Sequence, residues 1–548
     1  MAWHKRKLLH FFALFVCFFV LSLQVSAQDG QTTTNDNRQV IPPPVKVDLP
    51  TDRTGVDPTK KLQLSLKDAI SMALQQNLDV QIERDNVKIA EYNLLGSLGV
   101  YDIQVGSSFN INDTTFPVAS ALNRGGGGAN TIADNTISYG FNGSRVFANG
   151  GQARFELNNS RVSTNNVFNL INPRFNSQAV LSYTQPLLRN FKINQNERSI
   201  RTFKKQLDLS DLTFRQRLIS LIAQVQNAYY DLAFALKNAE IQREAVDLAA
   251  VQLRNNQIQV KAGTAAPIEI VSAEAEVERR KDAAISALLS ITQAENSLKS
   301  LLLDDPSSDY WNYQIVPTDL VDFTPDPIDL QSAINIAMDR RPEIKQLELQ
   351  GEINKIDLDF FRNQAKPQID LSGSLTGTGL AGSQTAATVP GPNPGDPPIP
   401  VDINLKGNGF NSLRTLFDFR SYQVGLTINF PLRNRTAKAN VQRTLVAGKQ
   451  LESRKRQMLE TVIVEVRNAL QAVETARQRV EAARASVAAA EAQLKGEEQK
   501  FAVGLSTNFF VLQRQNDLSV SRGNELRART DYNKARADLQ RVMANNLP

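Results

Sequence analysis

The chain has 548 residues, 41% of them hydrophobic and 22% charged, which is enough for several domains or for one repeated architecture. Its formal net charge of +6 is small for this length and gives no indication of a nucleic-acid partner. The one cysteine and both histidines lie within residues 1–17, so a histidine base, a thiolate metal site and a disulfide are excluded from the rest of the chain.

Residues 1–27 are expected to be a secretory signal peptide. Three basic residues at 5–7 precede an apolar run over 8–23, and Val25–Ala27 supplies small residues for cleavage. A transmembrane helix is the alternative, which the cleavage site and the polar tail from Gln28 disfavour. Cleavage would lower the net charge from +6 to about +3, because three positive charges and no negative ones are removed. We find no later stretch that is apolar over the roughly 18 residues a helical span needs, so any membrane crossing would be made by strands.

Four segments are predicted after the signal peptide. Residues 28–61 are rich in Gln, Thr and Asn and then in Pro, which predicts an extended tail and not a core element. A first structural repeat covers 62–303, a proline-containing linker covers 304–327, and a second repeat covers 328–548. The repeat is visible in the apolar spacing from Leu64 to Ala73, which returns 264 residues later.

Within each repeat the hydrophobic period changes from helical to alternating, over about 101–188 and about 367–431. Six candidate strands result, and the clearest runs from Tyr422 to Phe430, with large apolar residues at every second position. Such strands suit a barrel with lipid outside and water inside, although a soluble sandwich with one wet face gives the same alternation. Long polar connections such as 377–418, opposite the tight turn at 149–151, favour the membrane barrel.

A long helix is predicted in each repeat, over about 194–262 and about 435–503. In the second helix, apolar residues recur at every seventh position, at Leu459, Val466, Val473, Val480, Val487, Leu494 and Phe501. The same rows occur 241 residues earlier, and this pattern predicts left-handed packing against neighbouring helices. A two-stranded coiled coil is the alternative, but Ile222, Tyr229 and Leu236 widen the stripe, as a helix with neighbours on both sides requires.

Together, these features resemble the outer membrane efflux protein family of the TolC type. The resemblance covers about 62–545 and includes strands that end in Gln185-Pro186-Leu187-Leu188 and Phe430-Pro431-Leu432-Arg433, and turns that follow Val260-Lys261-Ala262 and Phe501-Ala502-Val503. It implies a mainly α fold with a transmembrane β section, in which a homotrimer forms an outer-membrane β-barrel continued by a periplasmic α-helical barrel. Family members commonly contribute four strands per chain, so the hairpin at Gly150-Gly151 is the excess, and the two alternatives are that it widens the barrel or that it stands outside it.

The family's function is implied in the same way. It is a passive exit duct from periplasm to exterior, in a tripartite efflux or type I secretion system, that works with an inner-membrane transporter through a periplasmic adaptor protein. The expected location is therefore the bacterial outer membrane with an extension into the periplasm, in contact with outer-membrane lipid. No cofactor and no nucleic acid are expected.

The turns after the long helices are the candidate functional sites. Each glycine there supplies the left-handed conformation that ends a helix, and the resemblance favours adaptor docking at Gly263, Thr264, Pro267, Gly504, Ser506 and Asn508. The family often has an acidic ring just after the second turn, where this chain has Phe510 and Gln513, and only the first copy has an acid. An apolar constriction is the competing idea, and the candidate residues are Glu269, Phe509, Phe510 and Gln513.

Two other functions are alternatives to the exit duct. A periplasmic adaptor protein also has long helical hairpins, but it would need one hairpin between small β domains, and this chain is duplicated. An exported enzyme or lectin on a β scaffold would need a site, and no catalytic or metal-binding arrangement is recognisable.

Overall fold

The structure is a computed structural model. It describes residues 49–50, 52–118, 130–166, 169–319, 323, 328–385, 388–389, 393–397, 399–400 and 405–546. The expected signal peptide and residues 28–48 of the expected tail lie outside the described residues. The main elements are, in chain order, β1 (Asp57–Leu64), α1 (Leu66–Gln76), α2 (Leu78–Leu98), β2 (Gln104–Pro117), β3 (Thr131–Val146), β4 (Gln152–Thr164), β5 (Ile171–Pro186), α3 (Gln195–Lys261), α4 (Ile268–Leu302), β6 (Tyr313–Pro317), α5 (Leu330–Arg340), α6 (Pro342–Gln364), β7 (Gln368–Gln384), β8 (Thr388–Val389), β9 (Ile399–Pro400), α7 (Gly409–Arg414), β10 (Phe419–Asn429), α8 (Arg435–Ala502) and α9 (Asn508–Val542).

The two halves begin with equivalent helix pairs. The α1 and α5 helices start 264 residues apart, and each has a side-chain N-cap that accepts a backbone hydrogen bond. Ser65 accepts from the Asp68 amide at 3.1 Å, and Asp329 accepts from the Ser332 amide at 2.9 Å. Asn77 then caps α2, whereas α6 begins with Pro342, whose missing N–H is tolerated at a helix start.

The long helices α3 and α8 each pack against the helix that follows and against a short helix pair. The residues at every seventh position of these helices are part of the core. Val225, Leu232, Val466 and Val480 are all 0% exposed. Tyr229, in the wider part of the α3 stripe, is also 0% exposed. The burial of a broad stripe fits helices with neighbours on two sides, and the predicted combination of a mostly helical chain with a sheet is confirmed.

Six strands form one antiparallel sheet in the order β10-β7-β5-β4-β3-β2. The hairpin around Gly150 belongs to this sheet, because its strands β3 and β4 pair with β2 and β5. Gly150 has a φ of +87°, and a Cβ there would overlap the Asn190 carbonyl oxygen. The turn therefore requires glycine for its backbone conformation and for its close approach to the loop before α3.

A second, two-stranded sheet forms between the segments that were predicted to be a tail and a linker. The tail was expected to lie outside the core until residue 61, yet β1 begins at Asp57 and pairs in parallel with β6 from the linker. Leu64 and Ile315 of this pair are 4% and 2% exposed and join the core of α1, α3 and α4. The pairing was missed because the partner strand lies about 250 residues away and no local pattern marks either strand.

Candidate channel surfaces and helix tips

The six-stranded sheet has one apolar face. Strand register places Val105, Phe155, Leu181, Leu375 and Tyr422 in one row across it. The next rows add Phe109, Tyr139, Phe141, Leu157, Val424, Leu426 and Ile428. Many of these side chains face solvent in the single chain, and Tyr422 is 86% exposed. A continuous exposed apolar surface of this extent marks an interface with lipid or protein.

The opposite face of the same sheet is polar. Its rows contain small hydroxyl and amide side chains, among them Ser108, Asn110, Ser138, Asn142, Asn158, Ser182, Ser374, Thr376, Gln423 and Thr427. The two faces therefore differ in most rows of the sheet, which the alternation in sequence predicted only strand by strand.

The turns after α3 and α8 are built in the same way. Gly263 and Gly504 have φ values of +73° and +76°. The Gly263 amide donates to the Val260 carbonyl at 3.0 Å and the Thr264 amide donates to the Gln259 carbonyl at 2.9 Å. The second turn repeats this pattern, with Gly504 donating to Phe501 and Leu505 to Lys500. Each glycine thus closes a Schellman motif, and a side chain at either position would be strained.

We call these two turns, with the first turns of α4 and α9, the helix tips. Apolar side chains are concentrated on their exposed surface. Leu505 is 79% exposed, Val503 is 69% and Ile268 is 65%. Phe509 and Phe510 follow at 65% and 46%, with ring centroids 5.6 Å apart in an edge-to-face arrangement. Exposed apolar residues at a helix end indicate a contact surface.

Among the residues predicted for the tip, Gly263, Thr264, Pro267, Gly504 and Gln513 are exposed. Ser506 is partly exposed, and its hydroxyl donates to the Glu497 carboxylate. This hydrogen bond is the main cause that holds the pKa of Glu497 below its ordinary value. Glu269 is half-buried, so within one chain it is not an exposed acid at the turn.

Asn508 differs from the other predicted docking residues, because it is only 5% exposed. Its side-chain oxygen accepts a hydrogen bond from Gln252 of α3. Gln252 also donates to Asn256 at 3.2 Å, and Asn256 donates to the Glu269 carbonyl at 3.1 Å. We call the buried side chains of Gln252, Asn256 and Asn508 the tip link. It connects the end of α3 with the first turn of α4 and with the first turn of α9. Sequence reasoning missed Gln252 and Asn256, since polar residues inside a helical repeat look like solvated positions.

Neither a metal-binding cluster nor a helix suited to span a membrane is present among the described residues. Within those parts of the chain, no three His, Cys, Asp or Glu side chains come together in a way that could hold a metal ion. No helix in the same residues combines the length and hydrophobicity that a transmembrane helix needs.

Comparison with known families decides the identity. The model of the family described as "Outer membrane efflux protein" matches residues 151–302 and 333–545, which is well over half of the chain. The chain belongs to the outer membrane efflux protein family. The resemblance seen in the sequence is confirmed, and the match covers both repeats.

This family member is similar to several solved structures. A membrane protein from Pseudomonas aeruginosa has 19% identity and a TM-score of 0.60, with 87% of this chain and 92% of that chain covered. The Campylobacter jejuni CmeC outer membrane channel has 16% identity and a TM-score of 0.61, with 88% and 86% covered. The Neisseria gonorrhoeae MtrE outer membrane channel, in its open state, has 18% identity and a TM-score of 0.54, with 88% and 89% covered. No curated protein sequence matches the chain.

The protein is therefore an efflux channel protein of the bacterial outer membrane that extends into the periplasm. The periplasmic adaptor alternative is not favoured. The family and the similar structures are channels, not enzymes.

Proposed function

We propose that three copies of this outer-membrane efflux protein close into one channel that is the exit duct of a tripartite export system. The observation that carries the proposal is the six-stranded sheet, which is apolar on one face and polar on the other, and neither of whose edges pairs with another strand among the described residues of a single chain. A sheet of this kind needs lipid on its apolar face and a strand partner at each edge.

The edges support closure between identical copies. The strands β2 and β10 are at opposite ends of a sheet with an even number of antiparallel strands, so they run in opposite directions. The β2 strand of one copy can then pair antiparallel with β10 of the next. Three copies of the six-stranded sheet would make an eighteen-stranded barrel, wide enough for an aqueous lumen lined by the polar face.

The helical part also has an uncovered apolar surface. Leu78, Ile82, Ile89 and Tyr92 are between 52% and 67% exposed and lie on the side of α2 opposite its buried residues, Val80 and Ala90 among them. A stripe of large apolar residues on an amphipathic helix requires a packing partner. We infer that a neighbouring copy covers this stripe, so that the helices of three chains form a closed wall around the lumen.

The tips are the proposed contact with a periplasmic adaptor protein, which in turn would connect the duct with an inner-membrane transporter. The exposed turn residues Gly263, Thr264, Pro267, Gly504 and Ser506 form the proposed docking surface, together with the apolar Leu505. Asn508 has a supporting role through the tip link. CmeC and MtrE, which are similar in fold, are themselves outer membrane channels.

The closed end of the duct is proposed to be narrowed by apolar side chains. Phe509 and Phe510 lie in the first turn of α9 and are exposed in the single chain. Rings of apolar side chains restrict a pore by excluding water. Glu269 and Gln513 are the other residues proposed near this constriction, where the partial burial of Glu269 argues against a dominant acidic ring.

Native mass spectrometry of protein extracted from outer membranes in mild detergent tests the assembly. We expect the mass of three mature chains, and a monomer or dimer would contradict the proposal. Ile89→Asp places a charge in the α2 stripe and should convert much of the trimer to monomer. Arg84→Gln, at an exposed position on a different side of α2, makes the same charge change of −1 and should leave the trimer intact.

A further inference from the structure

The segment before β10 crosses the apolar face of the sheet, and we call residues 405–418 the outer strap. The Gly382 amide of β7 donates to the Leu405 carbonyl at 2.9 Å, and the Gly407 amide donates back to the Gly382 carbonyl at 3.1 Å. The α7 helix of the strap then packs on β4, β5 and β7. It lies in the half of the sheet farther from the long helices, since it covers the middle and late part of β7.

Two glycines of β7 allow the outer strap to lie directly against the sheet. A Cβ at Gly379 would overlap the carbonyl oxygen of Ser412, and a Cβ at Gly377 would lie 2.6 Å from the carbonyl oxygen of Leu416. Side chains at these positions would lift the strap from the sheet. The close approach therefore depends on glycine at both positions.

The outer strap also explains two buried polar residues on the apolar face. Asn159 and Ser177 share a row with Tyr139 and Gly379, yet they are 6% and 0% exposed. The Ser177 hydroxyl donates to the Asn159 side-chain oxygen at 2.5 Å and lies 2.6 Å from the Ser412 hydroxyl. Buried polar atoms are tolerated when they are paired in this way, so the strap is an integral part of this face.

The outward surface of the outer strap combines aromatic and basic residues with one exposed acid, Asp418. Phe410 is 76% exposed and Phe417 is 57% exposed. Lys406 and Arg414 of the strap are exposed, and so is Arg420, which shares the apolar face with Tyr422. Among the described residues, no carboxylate lies in salt-bridge contact with these three cations.

We propose that the outer strap anchors the channel in the outer leaflet, with Phe410 and Phe417 in the lipid interface and Lys406, Arg414 and Arg420 on lipid phosphates. Aromatic side chains favour the membrane–water interface, and basic side chains there attract anionic headgroups. Lipid is the occupant that fits, because the strap continues the apolar sheet face and its cations complement phosphate. This inference rests on the proposed function, which places that face in lipid.

Fluorescence quenching by brominated lipids tests the anchor in purified full-length protein. Trp311 is replaced by Phe, since Trp3 lies in the expected signal peptide, and single tryptophans are introduced by Phe410→Trp, Val424→Trp and Thr427→Trp. After reconstitution in phosphatidylcholine vesicles, Phe410→Trp should be quenched more by bromines near the headgroups than by bromines deep in the acyl chains. Val424→Trp, on the sheet's apolar face, should be quenched as well, and Thr427→Trp, on its polar face, should not. Circular dichroism checks that each variant is folded.

The outcomes separate the two proposals. If Val424→Trp is quenched and Phe410→Trp is not, the sheet is in lipid and the anchor is rejected, as expected for a strap that contacts a soluble protein instead. If Val424→Trp is not quenched, the lipid-facing sheet of the proposed function fails.

The proposed contact of the three cations with lipid phosphates is tested by lipid competition. In the Phe410→Trp protein, brominated phosphatidylglycerol should bind about two- to five-fold more tightly than brominated phosphatidylcholine, because each nearby cation attracts an anionic headgroup. Lys406→Gln, Arg414→Gln and Arg420→Gln combined should abolish this preference. Equal binding of the two lipids before the substitutions would overturn the assignment of the cations.

Discussion

Lys299 and Glu295, one turn apart on α4, form an ion pair in which both side chains are 1% exposed and Nζ lies 3.0 Å from Oε1. The Lys299 ammonium also donates to the Trp311 carbonyl at 2.8 Å, and the Glu295 carboxylate accepts from the Ile315 amide at 3.0 Å. Arg53 contacts the same carboxylate. The pair therefore fastens β6 and the residues before β1 to the helical hairpin.

Removing one member of this pair should be strongly destabilising. Lys299→Met leaves the Glu295 charge buried with less compensation, and we expect a loss of about 3–5 kcal/mol in the free energy of unfolding. Lys237→Met is the matched control, because its ion pair with Glu240 is exposed and should contribute less than about 1 kcal/mol. Denaturant unfolding followed by circular dichroism measures both, and similar losses for the two variants would contradict the role of the buried pair.

The tip link should hold the start of α9 in place. Asn508→Ala removes the oxygen that accepts from Gln252 and leaves a buried donor without this partner, which costs about 1–3 kcal/mol. We expect faster amide hydrogen exchange in the first turns of α9 and at the end of α3. Thr507→Ala is the control, since the Thr507 side chain makes no capping hydrogen bond. Unchanged exchange in the Asn508 variant would show that the link does not hold the tip.

The hydrogen bond between Ser506 and Glu497 gives a prediction about pH. The pKa of Glu497 is lowered below its ordinary value of 4.5, chiefly because the Ser506 hydroxyl donates to the carboxylate. A depressed pKa contributes stability above the ordinary value, and this contribution is lost as the pH falls through the lowered pKa. Ser506→Ala should therefore raise the pKa of Glu497 and reduce this acid-dependent change.

Carboxylate NMR of ¹³C-glutamate-labelled protein, with Glu497→Gln to assign the signal, measures this pKa. Lys500→Gln should raise it less than Ser506→Ala, because the charge of Lys500 is the smaller cause. The reverse order would refute the assignment of the main cause.

The proposed constriction can be tested in planar bilayers. Phe510→Ala removes a large ring near the closed end and should increase the single-channel conductance if that ring restricts the pore. Leu505→Ala, in the exposed turn, trims a similar side chain that we place on the docking surface, and the conductance should not change. An unchanged conductance in the Phe510 variant would reject the constriction.

The elements with a regular hydrophobic pattern were the part of the fold that could be predicted from sequence. Rows at every seventh position correspond to buried residues such as Val225 and Val466, because one face of a long helix must be apolar to pack. Alternation likewise predicted strands, because the faces of a sheet are fixed by a period of two. At the tips, Gly263 and Gly504 were recognisable since only glycine adopts their conformation without strain.

Other features depend on partners that no local pattern reveals. Glu295 and Lys299 look like a solvated pair on a helix surface until β6 covers them. Asn159 and Ser177 interrupt the apolar alternation, and their reason is the outer strap, more than two hundred residues later. The burial of Asn508 was missed because a polar residue after a turn is usually exposed.

The central claim is that lipid contacts one face of the sheet and channel water contacts the other. Val424→Cys and Thr427→Cys, three residues apart on β10 and on opposite faces, test it directly, because the chain has no other cysteine after the expected signal peptide. In planar bilayers, a charged methanethiosulfonate reagent should change the conductance of the Thr427→Cys channel and leave that of Val424→Cys unchanged. Modification of Val424→Cys with an equal change in conductance, or no effect at Thr427→Cys, would contradict the account.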